Sequence, residues 1–201
     1  MLIVACMNGA FGFRWMKRAK KRDYMSDVVH ECLIYDNDAG FEAYVNDQTV
    51  EFSVRGSLMY KRQMERFILK YNSPDNTLLM IGKSKGGYWM NEIAKWFENE
   101  HDYKDWVIGY AQKRLILVDP CWLGRNGKNI TPPTTFDMVY NFYQTNERFL
   151  NGAWIASRES LDILKTPIIQ HDLTRPGVDH WTIIHASEVK QAIRKSMEVL
   201  I

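Results

Sequence analysis

A chain of 201 residues, 46% of them apolar and 25% charged, has the length and the apolar content for one folded domain with a sizeable core. Its net charge of +2 gives no general reason to bind nucleic acid. Three cysteines, Cys6, Cys32 and Cys121, are too few and too scattered for a disulfide framework or a zinc site.

Leu2 to Met7 reads as a fully buried strand ended by Asn8-Gly9. The basic residues come after this apolar run, whereas a signal peptide carries them in front, and no stretch is long enough to span a bilayer. A cytosolic protein with buried free thiols is therefore expected. Arg14 to Tyr24 reads as a short helix with a basic face made of Arg14, Lys17, Arg18, Lys20, Lys21 and Arg22. With no basic field elsewhere, that face reads as solvated rather than as a nucleic-acid site.

Cys32 to Tyr35 reads as a second strand, and residues 41–54 alternate loosely, as a hairpin or an extended excursion would. Tyr60, Met64, Phe67, Ile68 and Tyr71 recur at helical spacing and predict a helix over 57–71. After the turn Pro74-Asp75-Asn76, Thr77 to Ile81 is a buried strand, and Gly86 to Glu98 is helical. Leu115 to Val118, Met138 to Phe142 and Pro167 to Gln170 are the remaining strands; 186–200 closes the chain as a helix. Short apolar strands alternating with amphipathic helices predict a single α/β domain over 1–201, a mostly parallel sheet covered by helices on both faces. Ligands of such sheets bind outside the carboxyl ends of the strands, so residues just after each strand are the ones to inspect.

Gly82-Lys83-Ser84-Lys85-Gly86-Gly87 follows one of these strands. A phosphate-binding loop would need its leading glycine where the chain has Thr77, at the start of the strand. The pattern G-x-S-x-G is complete, with a strand before it and a helix after it. That context turns the chain sharply and holds Ser84 out at the top of the sheet, near the positive end of the following helix. A serine needs a base, and the base needs a partner that orients it. Asp119 follows the next buried strand and should emerge on the same edge; it could instead merely cap the turn before Pro120. Glu147 and, less directly, Asp172 are the rival acids. Among the histidines, His30 precedes the sheet edge, His101 lies in a charged loop after a helix, and His171 ends the last strand. His180 lies in the loop between that strand and the closing helix, where a base can reach back over the sheet; His185 is the runner-up. The order Ser84, Asp119, His180 is the one this architecture requires.

At these residues the chain resembles the α/β-hydrolase superfamily, its lipases and esterases above all. Leu2 to Phe11 is similar to the strand and loop carrying the family's oxyanion element, with Asn8-Gly9 in place of His-Gly. Ile81 to Gly87 resembles the nucleophile elbow. Leu117-Val118-Asp119-Pro120 resembles the Asp-Pro that carries the acid of pancreatic-type lipases, although many members place the acid one strand later, near Glu147. His180 with Ile183, Val189 and Ile193 resembles the histidine loop and last helix.

The resemblance implies a three-layer fold whose sheet, lacking the usual first two strands, has about six strands. It implies hydrolysis of a small acyl substrate by Ser84, His180 and Asp119 with no metal or cofactor. The N–H of Lys85 and one from Ala10 or Phe11 would hold the oxyanion. Trp122 would line the acyl pocket, and Trp181 could do so too, though packing explains it as well. Lys83 and Lys85 beside the nucleophile are unusual; they either favour an anionic substrate or sit in water. A hydrolase-fold binding protein whose chemistry has lapsed is the alternative.

Overall fold

The computed structural model describes residues 1–9, 41–46, 48–55, 58–97, 109–121, 130–146 and 166–200. The helix expected over 14–24, the strand expected over 32–35 and the residues Ala10, Phe11, His30, His101, Trp122 and Glu147 lie outside them.

Among the described residues seven strands form one sheet: β1 (Leu2–Asn8), β2 (Phe41–Asn46), β3 (Thr49–Arg55), β4 (Thr77–Lys83), β5 (Gln112–Val118), β6 (Met138–Tyr143) and β7 (Ile168–Asp172). Their order is β2-β3-β1-β4-β5-β6-β7. Six run parallel, and β2 pairs antiparallel with β3 at one edge, the hairpin form of the alternating stretch. Five of the expected strands appear as β1, β4, β5, β6 and β7; the two remaining strands, β2 and β3, both come from the 41–54 stretch.

The described helices are α1 (Leu58–Lys70), α2 (Lys85–Trp96) and α3 (Ser187–Leu200), with a 3₁₀ turn at Ile183–His185. Among the described residues no helix is long and apolar enough to cross a membrane.

Period-two alternation divides the strands between two cores. Ile3, Ala5, Met7, Leu78, Met80, Leu115 and Leu117 meet Tyr60, Met64 and Ile68 of α1 and Met90 and Ile93 of α2 on one face. Leu2, Val4, Cys6, Leu79, Ile81, Ile116 and Val118 meet Ile183, Val189, Ala192 and Ile193 on the other. Burial on both sides explains why β1 and β4 read as unbroken apolar runs. Each fully buried Leu, Ile or Met contributes about 1.5–3 kcal/mol relative to an exposed one.

The topology also locates a switch point. β1 and β4 are neighbours, but the chain proceeds from β1 towards β3 and from β4 towards β5. Connections leaving adjacent parallel strands in opposite directions open a gap at their carboxyl ends, where α/β proteins bind ligands.

Candidate functional site

The strand register delivers the first two residues of the site. Lys83 pairs with Val118, so Ser84 and Asp119 leave the sheet side by side. Backbone bonds fix them there. Ser84 N–H donates to the Val118 carbonyl (2.9 Å), Cys121 N–H to the Ser84 carbonyl (3.1 Å), and Asp119 N–H to the Phe142 carbonyl (2.6 Å).

Both residues have positive φ, 57° for Ser84 and 47° for Asp119, and they are the only non-glycine residues to do so among those described. Such conformations cost about 1–3 kcal/mol each and persist where the surroundings enforce them. At Ser84 the enforcement is steric. A Cβ on Gly86 would lie 2.0 Å from the Met7 carbonyl oxygen, and one on Gly82 would lie 2.6 Å from Gly87 Cα. Only glycine at both positions lets the strand turn so sharply into α2.

His180 arrives from the loop between β7 and the 3₁₀ turn. Its Nε2 stands 2.8 Å from Ser84 Oγ and its Nδ1 2.5 Å from Asp119 Oδ2. An ionised carboxylate only accepts, so Nδ1 carries the proton and Nε2 is left to accept from the serine hydroxyl. Asp119 is fully buried and His180 is 3% exposed, so water does not compete for this bond. The buried carboxylate is further satisfied by Gln144, whose N–H donates to Oδ1 (3.2 Å) and whose Nε2 donates to Oδ2 (2.9 Å).

Gln144 belongs to a polar run that also holds the histidine loop. Its Oε1 accepts from Asn146 N–H (2.7 Å), and Asn146 Nδ2 donates to the carbonyls of Arg175 (2.9 Å) and Val178 (2.7 Å). Arg175 in turn forms a two-pronged pair with Glu188 of α3, at 2.6 and 3.0 Å. That pairing, foremost the hydrogen bond from Arg175, brings the Glu188 carboxyl down to about 2.

The other expected residues fall as follows. Asp172 accepts from Thr174 N–H (2.9 Å) and bonds Tyr143, whose phenol is pushed up by burial and by this carboxylate. His171 stacks on Phe142 at 5.0 Å between ring centres. His185 closes the 3₁₀ turn, its N–H donating to the Thr182 carbonyl. None of these three joins the Ser84–His180–Asp119 row. Lys85 opens α2, directly after Ser84. Gly9 N–H is engaged by Asn8 Oδ1 (2.8 Å), and a Cβ on Gly9 would come within 2.9 Å of Ser84 Cβ. The exposed Trp181 ring meets His180 edge to face at 5.4 Å. Lys83 is buried, with Nζ donating to the Trp181 carbonyl (3.3 Å), so it does not simply sit in water. Cys121 Sγ lies 3.5 Å from Ser84 Oγ.

Gln144 and Cys121 were not singled out by sequence reasoning. The signal for Gln144 was present: it is the first residue past β6, the same position that marks Asp119 past β5. Among the described residues, no group of three or more His, Cys, Asp or Glu side chains gathers as metal ligands would. No protein-family profile matches the chain, and no curated protein sequence matches it.

Proposed function

We propose that this chain is a serine hydrolase of the α/β-hydrolase type, cleaving a carboxylic ester or related acyl bond of a small substrate through an acyl-enzyme. Ser84 Oγ attacks the carbonyl carbon while His180 Nε2 takes its proton. The tetrahedral intermediate collapses as the bond to the leaving group breaks and His180 returns the proton to that group. Water, deprotonated by the same nitrogen, then releases the acid and restores Ser84. Asp119 holds the imidazole in the required tautomer and stabilises the imidazolium formed in both steps. Lys85 N–H, at the positive end of α2, is the oxyanion donor among the described residues; a donor of this kind is worth about 3 kcal/mol of barrier. The second donor is assigned to Ala10 or Phe11, and the acyl pocket to Trp122. A reducing, cytosolic setting goes with this reading; Cys6 and Cys121 are both buried.

The observation that supports the reading is that one buried imidazole accepts from the Ser84 hydroxyl at Nε2 and donates to Asp119 from Nδ1. A fluorophosphonate probe tests it. The wild type should be labelled at Ser84 and should hydrolyse p-nitrophenyl acetate; Ser84→Ala should fold and do neither. A wild type that is folded, unlabelled and inactive would instead be a binding protein whose chemistry has lapsed.

A further inference from the structure

Along β4, Leu79, Ile81 and Lys83 share the face that packs towards the 3₁₀ turn and α3. The first two are apolar, as that face requires; the third is a lysine only 3% exposed. Removing an ammonium from water is costly unless it is paired, and packing alone would be served by methionine. Two of the groups that Lys83 meets among the described residues lie in the histidine loop. Its Nζ donates to the Trp181 carbonyl at 3.3 Å, and its charge acts favourably on Asp179. Asp179 Oδ1 accepts from Trp181 N–H (2.9 Å), Thr182 N–H (2.8 Å) and the Thr182 hydroxyl (2.8 Å). Burial pushes the Asp179 carboxyl up, but the bonds from Thr182 and Trp181 and the Lys83 charge outweigh it, and the carboxyl is held below its usual range. His180 stands between Asp179 and Trp181, so both its chain neighbours belong to one clasp, and Lys83 ties that clasp to the strand whose next residue is Ser84.

We propose that Lys83 is a positioning residue: it locks the loop carrying His180 onto the nucleophile strand and so sets the approach of His180 Nε2 to Ser84 Oγ. The catalytic consequence rests on the hydrolase reading above; the clasp itself does not.

Lys83→Met keeps the stem and removes the donor, whereas Lys83→Arg keeps a donor. The readouts are kcat and KM for a p-nitrophenyl ester, the rate of fluorophosphonate labelling, and the downfield proton resonance of His180 Nδ1–H. In Lys83→Met, kcat and labelling should fall about tenfold to a hundredfold, the loss expected for a misplaced catalytic group, with KM within about twofold. The resonance should broaden or shift, and Lys83→Arg should recover most of each. Wild-type kcat, labelling and resonance in Lys83→Met would overturn the proposal, as would a rise in KM alone. If Lys83→Met does not fold, Asp179→Ala cuts the same clasp from a half-buried position and is read against the same outcomes. If the wild type neither labels nor turns over, the hydrolase reading fails separately; the resonance then decides, and its survival unchanged in Lys83→Met overturns the clasp.

Discussion

Exchanging Asp119 for asparagine puts one amide nitrogen where the structure has only an acceptor. Asp119 Oδ2 receives both His180 Nδ1–H and Gln144 Nε2–H, and Oδ1 receives the Gln144 N–H. If the new amide group takes the Oδ2 position, it donates to His180, which must then carry its proton on Nε2 and cannot accept from Ser84. If the amide is turned over, it faces the Gln144 backbone N–H, donor against donor, in a site without water. In the first arrangement the new amide also faces Gln144 Nε2, and Gln144 cannot relieve that by turning its own amide, because its Oε1 already accepts from Asn146. The first arrangement disables the base; in the serine-protease template that loss is about 10⁴-fold. Such a factor corresponds to about 5.4 kcal/mol of barrier. The second keeps the base but leaves buried donors unsatisfied, at about 1–3 kcal/mol of stability. Asp119→Asn should therefore lose three to four orders of magnitude in kcat/KM for p-nitrophenyl acetate, about the template's factor, and a few degrees in Tm. Glu147→Gln should leave both nearly unchanged. Turnover of Asp119→Asn within about tenfold of wild type, only about 1.4 kcal/mol, would refute the assigned role of Asp119.

His180→Ala should lose as much activity as Ser84→Ala, because residues of such a row act as a unit, while His185→Ala stays active; the opposite pattern in an ester assay would reassign the base. Gly9→Ala places a methyl group 2.9 Å from Ser84 Cβ and 3.1 Å from Oγ. Overpacking of this kind costs about 1–3 kcal/mol, so Tm should drop modestly while fluorophosphonate labelling nearly stops; labelling at the wild-type rate would show that the β1 loop yields instead. Glu188→Gln should lower the urea midpoint at pH 7, where the Arg175 pair is intact. The folded carboxyl sits at about 2 against an ordinary 4.5, so the pair's contribution is complete above pH 4.5 and is lost as the pH falls towards 2. The difference in midpoint between wild type and variant should shrink over that interval; a constant difference would show that charge is not what Glu188 supplies.

The local parts of this design are written in short stretches of chain. Leu78-Leu79-Met80-Ile81 is apolar at every position because both faces of the sheet are covered, and that pattern survives in the one-dimensional string. The turn after it is equally local: Gly82 and Gly86 are required by the close approach of Gly87 and Met7, and strand, turn and helix follow one another without a gap. The ends of the elements shift by a few residues from expectation, as with β5, which begins at Gln112 rather than Leu115. There the outer residues are polar and partly exposed, so hydrophobic pattern does not mark them.

The choice among acids and bases was not local. Asp119 and Asp172 both end strands and both precede turns. What separates them is register, which sets Asp119 beside Ser84 while Asp172 ends a strand three places from that of Ser84, bonded to Tyr143 and Thr174. His180 and His185 differ only in how the loop between them folds, and that fold depends on Asn146, Arg175 and Lys83 from distant parts of the chain. Lys83 is the sharpest instance. Its place after Leu79 and Ile81 implied an inward direction, but a charged side chain in a glycine-rich turn reads as solvated until a carbonyl from the histidine loop stands within reach of it. Short-range spacing is encoded by steric and hydrophobic rules acting on neighbours. Pairing between groups sixty or a hundred residues apart depends on where loops close, and only the folded chain decides that.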